Sequence, residues 1–164
     1  MSIARKLKEY LDDQEVQYEV LIHEEAYTSP EIAHTLHVPG KDLAKVIMVK
    51  VEDRFVMTVL PSTWKVDLNR LKEVFQAHHV RLATEDEFKG LFPDCDIGAM
   101  PPFGNLYGLD VYVDRSLTED EEIVFQAGTH QEAIRMRYQD FTALVGPTVE
   151  EFHQPLAKVS EGQK

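Results

Sequence analysis

A single mixed α/β domain is the fold class this sequence predicts. Its 164 residues suit one hydrophobic core. Apolar spacings of helical and of strand period alternate along the chain. Their order is too irregular for a repeated strand–helix–strand unit. No internal repeat, low-complexity run or dividing linker interrupts the pattern. Residues 1–164 therefore read as one domain, with a polar tail from 146 onward that frays at its end.

Ser2 can cap a first helix, in which Ile3, Leu7, Tyr10 and Leu11 recur at helical spacing. Val16, Tyr18, Val20 and Ile22 then alternate with polar neighbours, the period of a half-buried strand. A second helix starts at Thr28-Ser-Pro-Glu31, either through a Thr28/Glu31 capping box or with Ser29 as cap, and stops before Val38-Pro39-Gly40. The segment 43–51 is almost wholly apolar and reads as a strand buried on both faces. Glu52-Asp53 turns it into a partner strand over 55–60. Asp67 opens a helix carrying Leu68, Leu71, Val74 and Phe75. A short strand over 80–83 leads to a second capping box, Thr84 with Glu87. Strands are expected over 109–113, 123–127 and 133–138, and Asp140 as the cap of a closing helix.

Composition narrows the function. A net charge of −12 argues against gripping nucleic acid through a general basic surface. Between Lys41 and Arg81, however, eight cations face five acids. Such a local basic face can hold a short phosphate segment. No apolar run approaches the roughly 18 residues that span a bilayer, and the amphipathic start lacks the apolar core of a signal peptide. Cys95 is the single cysteine, so no internal disulfide can form, and a cytoplasmic location is expected.

Two features exceed structural need. The stretch 94–108 holds Gly98, Gly104 and Gly108, the pair Pro101-Pro102, and two aromatics that look exposed, Phe103 and Tyr107. Such a loop is a crossover turn or a wall of fixed backbone donors facing an oxyanion. The other is Lys45, set between Ala44 and Val46 at the start of a buried strand. A lysine there must reach an edge, pair with an anion or shift its pKa. No nucleophile elbow, phosphate-binding glycine loop or zinc-protease motif occurs. His34 and His37 share a helix face without an evident third ligand, and no cofactor or metal is expected. Cys95 has no basic neighbour in sequence and reads as an incidental thiol.

Lys45 within Leu43-Ala-Lys-Val-Ile-Met-Val-Lys50, the loop Gly98-Ala-Met-Pro-Pro-Phe-Gly104, and Ala127-Gly-Thr-His130 followed by Ile134 and Asp140-Phe141 come in one order and spacing. Together they resemble the YbaK family of aminoacyl-tRNA deacylases, related to the editing insertion domain of bacterial prolyl-tRNA synthetases. The resemblance runs from about residue 2 to 145. It implies a compact domain around a curved, mostly antiparallel sheet. It also implies a free-standing, trans-editing hydrolase that cleaves the ester joining a wrong, small amino acid to tRNA. The implied partners are the mischarged aminoacyl-tRNA and, transiently, an aminoacyl-tRNA synthetase; no membrane is involved. Lys45 matches the family's essential lysine. Gly98, Ala99, Met100, Pro101, Phe103 and Gly104 match its glycine-rich pocket wall, Gly128 is a further substrate-binding position, and His130 matches a position that lines the amino-acid pocket in some members. Val46 stands where some members carry a polar residue, which bears on the amino acid recognised. The contrasting expectation is a non-catalytic module of the same fold that holds a tRNA end or a protein.

Overall fold

A computed structural model describes residues 4–26 and 28–156. Ser2 and Ile3, assigned above to the first helix, lie outside the described residues, as does the end of the tail from 157. The helices α1 (Arg5–Asp13), α2 (Ser29–Leu36), α3 (Leu68–Phe75), α4 (Glu85–Phe88) and α5 (Tyr138–Val145) alternate irregularly with ten strands. The fold is mixed α/β, as the sequence predicts, and most strand pairs are antiparallel.

One sheet has five strands in the order β5 (Val80–Leu82), β2 (Ala44–Val51), β3 (Arg54–Pro61), β6 (Asp110–Asp114) and β9 (Thr148–Glu150). Its β3–β6 and β6–β9 pairs are parallel. A second sheet sets β8 (Glu132–Arg137) between β1 (Tyr18–Ile22) and β7 (Glu122–Thr129). A small ribbon joins β4 (Trp64–Val66) to β10 (His153–Pro155). The largest core lies between the two larger sheets, where Phe103, Phe125 and Phe141 are wholly buried. The other face of the five-stranded sheet is covered by α3, through Leu71, and by Phe152.

Local signals set the helix starts. Thr28, rather than Ser29, caps α2, in a capping box with Glu31, and Thr84 and Glu87 form a second box at α4. Asp67 caps α3 by accepting from the Arg70 N–H. The closing helix begins earlier than its sequence suggests. Arg137 is the N-cap residue, without a side-chain cap, and Asp140 lies in the first turn, near the helix's positive end.

Three further expectations change. Val20 is 42% and Ile22 79% exposed: β1 is an edge strand, and of its expected apolar face only Val16 and Tyr18 pack against the main core, while Leu21 on the other face packs against a smaller one. The polar segment after 146 is not simply a tail. Phe152 is fully buried and brings β9 and β10 back onto the domain. Nor is Phe103 exposed: it is the centre of an aromatic cluster with Tyr10, Phe125 and Phe141. Tyr107 is half-buried against Phe92, its hydroxyl donating to Asp94.

Candidate functional site

The site begins with an interruption in the larger sheet. Along one edge, β2 pairs with β3 over its whole length. Along the other, Leu43 bridges to Val124 of β7, and β5 takes over only from Val49, with the Ala83 N–H donating to the Met48 carbonyl. Between those points β2 has no paired strand among the described residues, and Lys45 and Val46 sit there. Side chains alternate across a strand. Val46 thus shares the face of Ala44 and Met48, which belong to the main core, while Lys45 shares that of Leu43 and Ile47.

Lys45 is half-buried. Among the described residues its ammonium makes one long hydrogen bond, 3.5 Å to the Ser62 carbonyl, and no carboxylate pairs with it. Burial holds its pKa below the usual lysine range. It lines a cleft of about 570 Å³ together with Ile47, Lys65, Asn69, Leu82 and Gln154. Of those neighbours, Lys65 belongs to the basic stretch and Ile47 to the buried strand noted in the sequence, whereas Asn69, Leu82 and Gln154 carried no sequence signal.

The glycine-rich loop lies beside β7 and is fastened to it. The Asp96 N–H donates to the Gly128 carbonyl at 2.7 Å, and the Gly128 N–H to the Ala99 carbonyl at 2.8 Å. His130 Nε2 lies 3.0 Å from the Ile97 carbonyl, and its ring is 3.6 Å from where a side chain on Gly98 would begin. Gly98 has φ +88°, a conformation that glycine accepts readily. Gly98, Ala99, Gly128 and His130 are therefore gathered at one place. Met100, Pro101, Phe103 and Gly104 are buried and support the loop from beneath. Gly128 itself packs against Ala4 at the start of α1.

The expected wall of free donors is corrected in part. The Ala99 N–H is already committed to the Asp96 carbonyl at 3.0 Å. Among the described residues the Gly98 N–H meets only the Met100 sulfur, at 3.3 Å, a weak acceptor that a ligand oxygen can displace. Gln126 ties β7, on the sheet face of Lys45, to this loop. Leu43 and Val124 bridge in parallel, so Lys45 and Gln126, each two residues further on, leave the same face. The Gln126 amide nitrogen donates to the Gly98 carbonyl at 3.2 Å, and its buried amide oxygen has no partner among the described residues. Sequence reasoning missed Gln126, which stands as a single polar residue inside an apolar strand.

Cys95 fits its incidental reading. Burial, with the Asp94 and Asp96 carboxylates nearby, pushes its thiol up to about 12, so it stays protonated at neutral pH. No helix among the described residues is long and apolar enough to cross a membrane.

Residues 23–144, which contain Lys45, the loop and His130, match the model of the aminoacyl-tRNA editing domain. The chain is 26% identical over 117 residues to a proline–tRNA ligase of Macrococcus caseolyticus, covering 62% of this chain and 20% of the ligase. It is 32% identical over 99 residues to that of Sulfurihydrogenibium sp., covering 59% of this chain and 17% of the ligase. The matched region is thus about a fifth of those ligases. Among solved structures, hypothetical protein APE2540 superposes with a TM-score of 0.83 at 21% identity, covering 92% of this chain and all of that one. A protein given a provisional trans-editing role for prolyl-tRNA synthetase superposes at 0.80 and 21% identity, covering 92% and 96%. At that identity the superpositions establish the fold, and the match over residues 23–144 establishes the family: the chain belongs to the aminoacyl-tRNA editing domain family, that of YbaK and the prolyl-tRNA synthetase editing domains.

Proposed function

We propose that the protein is a trans-editing deacylase, which hydrolyses the ester joining a small, wrongly attached amino acid to tRNA. The observation that carries this reading is the unpaired, half-buried ammonium of Lys45 at the break in the sheet, on the strand face it shares with Gln126 beside Gly98.

An aminoacyl ester is already activated, so its hydrolysis needs orientation and charge stabilisation more than a strong nucleophile. The Lys45 ammonium faces the ester carbonyl and stabilises the negative oxygen that forms when water attacks. Collapse of the tetrahedral intermediate breaks the bond to the ribose oxygen, which leaves with a proton. The products are the free amino acid and the tRNA with its terminal hydroxyl restored. The water is activated by the substrate's own polar groups. The Gly98 N–H, released from the Met100 sulfur, adds a second donor.

Gly98, Ala99, Gly128 and His130 bound the amino-acid side of the site, with Met100, Pro101, Phe103 and Gly104 as its rigid backing. The unpartnered oxygen of Gln126 suits the substrate's ammonium group. Such a pocket selects chiefly by excluding larger side chains, each methylene being worth about 1–3 kcal/mol. The likeness to prolyl-tRNA ligases supports a cytoplasmic role in translation fidelity, with transient association with a synthetase. The test is a panel of tRNAs, each charged with a different small amino acid. Release of free amino acid well above the spontaneous rate is expected for at least one of them. Tight binding of the panel without turnover would establish the non-catalytic module instead.

A further inference from the structure

The Lys45 cleft has a second wall, to which a part of the chain outside the matched region contributes Gln154. Lys65 of β4 stands directly opposite Gln154 of β10 in their antiparallel register, and both line the cleft. Gln154 lies beyond residue 144, where the family match ends. Its strand is held in place by Asp114, which is fully buried and accepts from the Phe152 N–H at 2.7 Å, with His153 Nδ1 2.8 Å away.

On this wall the Lys65 ammonium and the Gln154 amide oxygen are uncommitted, while the Asp67 carboxylate, which also lines the cleft, is engaged as the cap of α3. Lys65 has no ion-pair or hydrogen-bond partner among the described residues. Elsewhere in the same basic stretch Lys41, Lys50, Arg70 and Arg81 are all paired with acids. The amide nitrogen of Gln154 donates to the Val66 carbonyl at 3.1 Å, which fixes the amide and leaves its oxygen without a partner among the described residues. Across the cleft Leu82, 53% exposed, and Ile47 form an apolar ledge. An ammonium suits a phosphate oxygen, a fixed amide oxygen suits a ribose hydroxyl, and an apolar ledge suits the face of a base.

We propose that Lys65 and Gln154 seat the single-stranded 3′ end of an RNA, the ammonium on a phosphodiester and the amide oxygen on a ribose hydroxyl. The deacylase reading supplies the identity of the RNA as tRNA, and the seat itself is tested separately by binding. Lys65 is a positioning residue, and Lys45 remains the group that faces the ester.

The probe is an RNA minihelix ending in unpaired ACCA, compared with the same minihelix lacking those four nucleotides. Affinity is measured by fluorescence anisotropy across a salt series for the wild type, Lys65→Ala, Gln154→Ala and Lys8→Ala, a control on exposed α1. Lys65→Ala is expected to weaken binding of the ACCA-ended RNA roughly five- to fiftyfold and to lower the salt slope by about 0.7, the value for one cation on a single strand. Gln154→Ala should weaken it with the slope unchanged. Truncated RNA should not distinguish the variants. In single-turnover hydrolysis, Lys65→Ala should raise the protein concentration that gives half the maximal rate by about the same factor as it weakens binding, whereas Lys8→Ala should leave it unchanged. The proposal is overturned if Lys65→Ala binds the ACCA-ended RNA as Lys8→Ala does, or loses as much on the truncated RNA. A wild type that shows Lys65-dependent binding but hydrolyses no charged tRNA would refute the deacylase reading and leave the seat standing. Turnover with Lys65-independent binding would do the reverse.

Discussion

Replacing Lys45 by alanine separates chemistry from stability more cleanly than any other change in this protein. The ammonium has one weak contact, at 3.5 Å to the Ser62 carbonyl, and its charge is partly desolvated. Burial lowers its pKa, so the unfolded chain holds that proton more tightly than the folded one. The charged form is therefore a cost to folding at neutral pH. That cost fades only as pH rises from the folded pKa through the usual lysine value of 10.5. Lys45→Ala should accordingly leave stability near that of the wild type. A charge-assisted contact to the reacting oxygen is worth about 1.5–3 kcal/mol, so the single-turnover rate should fall roughly ten- to hundredfold. Lys45→Arg should recover little, because a planar guanidinium cannot reproduce a compact point charge. Lys50 is the internal control. It lies on the same strand but on the opposite face, over the Phe55 ring and near Glu87. Rates are read as amino acid released from the best mischarged tRNA, with denaturant unfolding in parallel. If Lys45→Ala hydrolyses as fast as Lys50→Ala, the catalytic assignment of Lys45 is wrong.

Two other substitutions probe the frame around the site. A Cβ on Gly128 would stand 2.8 Å from the Ala4 Cβ and 2.9 Å from its nitrogen, at φ +108°. Gly128→Ala should therefore cost about 3 kcal/mol or more and lower Tm by roughly 6–12 °C; a shift under about 2 °C would contradict the packing described. Asp120 is raised from 3.8 to about 6 by burial and then by the nearby Asp42 carboxylate. Its contribution to stability is thus complete below pH 3.8 and lost as pH rises through about 6. Asp120→Asn should stabilise the protein at pH 8 by on the order of 1–3 kcal/mol and give no gain at pH 4, as measured by urea unfolding. Equal differences at both pH values would exclude this account.

The parts of the fold that could be read from the sequence are those whose cause is local. Both capping boxes and the Asp67 cap bond a residue to one three positions away, so their partners are adjacent in the sequence. The β2–β3 hairpin is equally local, turning where Glu52 adopts φ +53°. Lys45 stood out because a charge inside an apolar run needs an explanation, and Gly98 because glycines gather where the backbone turns through positive φ. What escaped depends on distant partners. Three-residue strands such as β4, β9 and β10 carry no periodic signal, and only their pairing and the burial of Phe152 define them. The exposure expected of Phe103 failed for a related reason. A loop rich in Gly and Pro looks solvated, yet this one passes under the main core with an aromatic ring as its anchor.

The committed backbone of that loop also decides how the work of the site is divided. The Ala99 N–H, the Ala99 carbonyl and the Gly98 carbonyl all have partners, on the loop itself or on β7. Using any of them for a substrate would cost the hydrogen bond that holds the loop in place. The loop therefore contributes shape: a fixed corner at Gly98, set beside the His130 ring. On the deacylase reading proposed above, charge stabilisation comes from groups whose protein contacts are weak enough to be exchanged: the Gly98 N–H, held only by the Met100 sulfur, and chiefly the Lys45 ammonium, reached through the gap between β7 and β5. The same gap explains why a lysine is tolerated there at all. A paired strand along Ala44–Ile47 would close the edge and leave the ammonium with no ligand to offset its desolvation. The interruption in the sheet and the buried cation are thus one feature, and the cleft they share is where an ester would meet a positive charge with little water to screen it.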